Sequence, residues 1–147
     1  MDTTGEKYIF VGVTFENYPK IYHYVCDFAD IKLYETVIVP VGSDNEEKQA
    51  VVTEKLLCSE GDAPYPPSKA KKVIEKVDLE YMEPTAENLK KCLNKPVKLI
   101  FSNFYNLSGF IKLIAETQEG KTYLRLLHKD GEITVPVKNL KYISILP

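Results

Sequence analysis

The chain has 147 residues, 44% of them hydrophobic, which is enough to build a core and excludes wholesale disorder. Nineteen basic residues stand against twenty-one acidic ones, so the net charge of −2 excludes a protein that coats nucleic acid by charge alone. The polar start, Met1-Asp2-Thr3-Thr4-Gly5-Glu6-Lys7, is no secretory signal, and no run is long and apolar enough to span a bilayer. Three widely spaced cysteines, Cys26, Cys58 and Cys92, argue against a disulfide framework and for a reduced, cytoplasmic chain.

Strands dominate the pattern. Tyr8 to Phe15 and Lys20 to Cys26 are rich in Val, Ile, Tyr and Phe and flank a turn-like break, Glu16-Asn17-Tyr18-Pro19. In the second of them Ile21, His23 and Val25 point one way, and Tyr22, Tyr24 and Cys26 the other. A third strand is predicted over Thr36 to Val41, with Pro40 confining it to an edge or a bulge. A polar loop from Gly42 to Glu47 precedes a fourth strand, Gln49 to Cys58. Ser59 to Pro67 holds three prolines and a glycine and reads as a stiff connection. Residues 68–76 fit either a helix or a strand. Thr85 is a candidate cap for a short helix from Ala86 to Leu93. Strands are then predicted over Val97 to Phe101, Ser108 to Ala115, Lys121 to His128, Glu132 to Val137 and Tyr142 to Leu146, with Asp130-Gly131 as a hairpin signal. The runs Ile111, Leu113, Ile114 and Leu124, Leu126, Leu127 read as strands with little free face, as in small closed barrels.

Charge divides the chain as the elements do. Residues 1–78 carry net −5 and residues 79–147 net +3. The expected organisation is therefore mainly β: a β-rich unit over 1–78, then a helix plus a five-strand barrel-like unit over 79–147, with the boundary near Asp78 to Pro84.

The second half, with its helix followed by strands carrying Val97 and Leu99, Gly109-Phe110-Ile111, Tyr123-Leu124-Arg125-Leu126 and Val135 to Ile145, resembles the Sm-like small barrel over residues 84–147. An SH3-like barrel has nearly the same pattern. The Sm-like family's RNA-contacting signatures, an Asp-x-x-Met-Asn loop and an Arg-Gly pair, are absent. The first half, through Ile9 to Val13, Val37-Ile38-Val39-Pro40-Val41-Gly42 and Ala50-Val51-Val52, is similar to the N-terminal DNA-binding domain of the primosomal replication helicase over residues 8–58. Tyrosines and acids stand where a DNA-contacting surface would hold arginines, and a likeness of fold does not fix function.

Little catalytic chemistry is available. The two histidines are His23, on the strand face opposite Cys26, and His128, beside a hairpin turn where a surface position is expected. No Cys-x-x-Cys, His-x-His or His-Glu-x-x-His spacing is present. The Asp44 to Glu47 run lacks the ligand alternation of a calcium loop, and the seven scattered glycines form no phosphate cradle. No enzyme activity, metal or cofactor is expected. The surplus lies in ten tyrosines and six phenylalanines. Tyr18, Tyr22, Tyr24, Tyr34 and Tyr65 are the candidate protein-binding residues, because tyrosine anchors interfaces. Tyr65 sits in Pro64-Tyr65-Pro66-Pro67, a polyproline ligand or a rigid connector lying on its own unit. The preferred expectation is a non-catalytic adaptor or small inhibitor, of a kind mobile elements carry, whose partner is a protein such as a bacterial complex. The alternative is a weak binder of single-stranded nucleic acid, with Lys90, Lys91, Lys95, Lys98 and Arg125 on phosphates and Phe104 or Tyr105 stacking on bases.

Overall fold

The computed structural model describes residues 7–147 and divides the chain into two compact units, Met1–Asp78 and Leu79–Pro147. Both are antiparallel β-sheets. In the first unit β1 (Tyr8–Phe15), β2 (Tyr18–Val25), β3 (Thr36–Val41), β4 (Glu46–Cys58) and β5 (Glu75–Val77) form a sheet in the order β2-β1-β4-β3-β5. Alternation selects the buried face: Val11 and Val13 of β1, Val37 and Val39 of β3 and Ala50 and Val52 of β4 form one apolar cluster. Each buried valine contributes about 1.5–3 kcal/mol relative to exposure. Asn17 takes the left-handed backbone (φ 56), so the β1–β2 turn is tighter than its composition indicated and β2 begins at Tyr18.

β4 is long because it serves two partners. Residues 46–51 pair with β3 and residues 50–58 with β1. A register shift between Gly12 and Val13 leaves Thr53 as the extra residue, a bulge that bends the strand. The expected polar loop shrinks accordingly, because Glu46 and Glu47 already pair with Val41 and Pro40. β5 pairs only with Thr36 to Ile38, so Pro40 lies beyond its reach, at an edge as its missing N–H requires. Residues 68–76 are neither one helix nor one strand. Turns give way to a single bridge at Lys72 and then to β5.

In the second unit α1 (Ala86–Cys92) precedes β6 (Pro96–Phe101), β7 (Asn106–Glu116), β8 (Thr122–His128), β9 (Gly131–Pro136) and β10 (Leu140–Ile145), in the order β10-β6-β7-β8-β9. Thr85 caps the helix: its Oγ1 accepts from the Asn88 N–H at 3.1 Å. Leu89 and Cys92, three apart, put one helix face into the core. Met82 exchanges main-chain hydrogen bonds with Ile143 at 2.8 and 2.9 Å, which binds the segment after Asp78 to this unit.

Among the described residues no ladder joins the two edge strands of either sheet, so both are open. The leucine and isoleucine runs do not bury both faces, as the barrel reading required. A register shift between Ile111 and Leu113 turns Leu113 outward, where it is 50% exposed, while Ile111 stays buried. On β8 Leu124, Leu126 and His128 face inward and Leu127, 48% exposed, faces outward. His128 is thus buried rather than at the surface, because strand alternation carries it inward before the turn begins.

The three thiols are free, and burial pushes those of Cys26 and Cys92 up. Cys58 is half-buried where β4 ends opposite Tyr8. In native protein at neutral pH a thiol reagent should modify Cys58 at least about tenfold faster than Cys26 or Cys92. Mass spectrometry of the labelled chain reads the order directly, and early labelling of Cys92 would place its helix wrongly.

Candidate functional site

The first unit carries a concavity of about 560 Å³ lined by β2, the end of β3 and the connection after β4, within the size range of ligand pockets. β2 supplies Tyr18, Tyr22 and Tyr24, and the stiff connection supplies Tyr65 from more than forty residues further along. Four of the five tyrosines singled out in the sequence therefore meet in one place. The Tyr18 and Tyr22 rings stack with centroids 6.4 Å apart, and Phe15 meets Tyr22 edge-on at 5.5 Å. The ammonium of Lys20 lies 5.1 Å from the Tyr22 ring centre. Hydrogen bonding with Tyr18, then desolvation, pushes the Tyr22 phenol above its ordinary value.

The tyrosines play different parts. Tyr18 and Tyr65 are half-exposed, at 49% and 51%, and free to meet a partner. Tyr24 is a correction to the sequence reading: it is 7% exposed and belongs to the core. Its hydroxyl donates to the Pro40 carbonyl at 2.9 Å, on the edge that β5 leaves uncovered, and burial pushes its phenol up. It lines the concavity with little exposed area of its own. Tyr34 does not line the concavity; its backbone is left-handed (φ 74), with its N–H bonded to the Val52 carbonyl at 2.8 Å.

Sequence reasoning missed the rim. Lys48, Lys69 and Lys71 line the concavity with one acid, Glu16, giving a locally positive mouth on a unit of net −5. Lys71 also donates to the Gly42 carbonyl at 2.5 Å, which fixes the connection against β3. The Pro64 to Pro67 segment thus lies on its own unit, and the turn after it is closed by the Lys69 N–H to the Pro66 carbonyl at 2.9 Å. Also missed was a row across three strands. His23 of β2, Gly12 of β1 and Glu54 of β4 stand in register, and His23 Nε2 lies 2.6 Å from Glu54 Oε1. A side chain on Gly12 would put its Cβ 2.7 Å from Glu54 Cγ, so the glycine makes room for the pair to meet above it. A lone glycine inside an apolar strand was the signal for such a close approach.

The residues of the nucleic-acid alternative do not share one concavity. Lys98 is 4% exposed, in register between Ser108 and Ser144, and has no access to a phosphate. Its strand has a neighbour on each side and is buried from Val97 to Phe101, which alternation alone does not reveal. Arg125 is exposed on β8 but sits 3.8 Å from Glu132. Lys91 pairs with Glu87 at 4.0 Å along the helix. Lys90 and Lys95 are exposed. Phe104 occupies a left-handed turn position (φ 70), and the neighbouring Tyr105 packs on Phe101 at 5.8 Å. Tyr105 lines a concavity with β9 residues, whereas Lys90 lines a separate one beside β7.

Among the described residues no three His, Cys, Asp or Glu side chains gather as metal ligands, and no helix is long and apolar enough to cross a membrane. Compared with known proteins, the chain matches no family model, no curated protein and no solved structure.

Proposed function

We propose that the chain is a non-catalytic protein-binding module, an adaptor or small inhibitor, whose contact site is the tyrosine-lined concavity of the first unit. The carrying observation is the convergence of Tyr18 and Tyr22 from β2 with Tyr65 from a distant proline-stiffened segment. Tyrosine gives large, stiff contact area with one polar end, and a pre-shaped mouth loses little freedom on binding. The net −5 of the unit disfavours a polyphosphate chain running across it, while the local lysines leave room for individual carboxylates.

Affinity capture from a bacterial lysate, before and after nuclease, tests this with a Tyr65→Ala variant beside the wild type. The protein partner should survive nuclease and be lost by the variant, since truncating a central interface tyrosine costs about 2 kcal/mol or more. A partner that disappears with nuclease, or that Tyr65→Ala retains in full, contradicts the reading.

A further inference from the structure

We propose that the occupant of this concavity is an extended, acidic segment of the partner protein that adds a strand to the open edge of β2. The inference rests on the protein-binding reading and specifies how that binding is made. β2 is a terminal strand of its sheet, with β1 on one side only. The direction of its main-chain groups follows from bonds at its end. The Val25 N–H donates to the Lys71 carbonyl at 2.9 Å, and the Val25 carbonyl accepts from the Val73 N–H at 2.8 Å, both away from β1. The Cys26 N–H donates to the Ile9 carbonyl at 2.8 Å, toward β1. With a period of two, the N–H and carbonyl groups of His23 and the carbonyl of Ile21 also point away from β1, and the register shift between Val13 and Phe15 interrupts the ladder before them. Among the described residues nothing pairs with them there.

The connection thus occupies this edge at a single rung, a parallel bridge between Val25 and Lys72, and leaves the His23 rung upstream open. That rung borders the concavity, with His23 in its lining between Tyr22 and Tyr24. Pro19, which carries no N–H, and the turn before it end the open stretch at the other side. An extended segment four or so residues long fits between these limits and finds main-chain partners on the edge and ring surfaces beside it. Its charge is set by the rim: Lys48, Lys69 and Lys71 line the mouth against Glu16, and Lys20 stands at the Tyr22 ring. Carboxylates on alternate residues complement that rim, whereas the acidic remainder of the unit repels anions elsewhere.

Amide hydrogen exchange by NMR tests the inference on the full chain. The probes are the capped peptides (Glu-Val)4 and (Lys-Val)4 at millimolar concentration, and a single-stranded dT8 oligonucleotide. The acidic peptide should slow exchange at His23 at least tenfold, and the basic peptide should not. His23→Pro removes an outward N–H that β1 does not use, so on this edge strand it should leave the fold intact and weaken the acidic peptide at least tenfold. Should that variant fail to fold, the exchange result on the wild type decides alone. Shifts of the Tyr18, Tyr22 and Tyr65 signals without protection of His23 would overturn strand addition while leaving the cavity reading in place. No response to the acidic peptide, or equal protection by the basic peptide or the oligonucleotide, would also overturn it, and the Tyr65→Ala capture then judges the cavity reading separately.

Discussion

Leu99→Ala should cost the protein about 2–5 kcal/mol, the range for removing a fully buried leucine and leaving a cavity behind. Leu99 is 0% exposed in the middle of β6 and stands in register with Leu107 on one side and Ile143 on the other. Leu89 of the helix and Leu124 of β8 belong to the same cluster, so the walls are held from several directions and cannot close over the vacated space. A domain of this size has about 5–15 kcal/mol in total, so the loss is a large share of it. Urea denaturation should show a lowered midpoint with an unchanged slope. The companion variant, Leu127→Ala, alters a side chain on the outward face of β8 and should cost well under half as much. Equal costs for the two would mean that the inner and outer faces of the second sheet are misassigned.

Gly109→Ala should cost about 1–3 kcal/mol by overpacking. Gly109 lies on β7 between Leu107 and Ile111, both on the inner face. A Cβ there would sit 2.7 Å from Leu126 Cγ and Cδ2 and 3.0 Å from the Leu127 carbonyl oxygen. Leu126 is itself fully buried and the carbonyl belongs to the backbone, so neither yields cheaply. The same substitution at Gly61, which has nothing within 4 Å of its missing Cβ, should be close to neutral. Combining Gly109→Ala with Leu126→Ala should cost less than the two singles added, because the second change removes the atoms the first one strikes. Strict additivity in denaturation experiments would contradict the contact.

Most elements were legible because each rests on a local cause. The β1 limits followed from a run rich in Val, Ile, Tyr and Phe before the Glu16-Asn17 break, the helix start from Thr85, and the β8–β9 turn from Asp130-Gly131. The failures share a different cause. Lys98 and Tyr24 were placed at the surface from their chemistry, yet their burial is decided by which strands lie beside them. The bulge at Lys112 made an alternating strand look apolar on both faces. At the site, the tyrosines of β2 were visible as a group, but their meeting with Tyr65, Lys69 and Lys71 depends on how the chain returns along β2 after a long connection. No spacing within β2 encodes that return. The His23–Glu54 pair likewise needed the register of three strands, and only Gly12 hinted at it.

The most direct measurement of the central claim is the affinity of the purified partner for three forms of the chain at 150 mM salt: wild type, Tyr18→Ala with Tyr65→Ala, and Lys90→Ala with Lys95→Ala. The cavity pair should weaken binding by about thirtyfold or more, the equivalent of about 2 kcal/mol, through loss of aromatic contact. The helix-side pair should change it by less than about twofold, as expected of exposed charges outside an interface. Full affinity in the tyrosine variant, with loss in the lysine variant and a steep fall with salt, would contradict the account and move the site to the second unit.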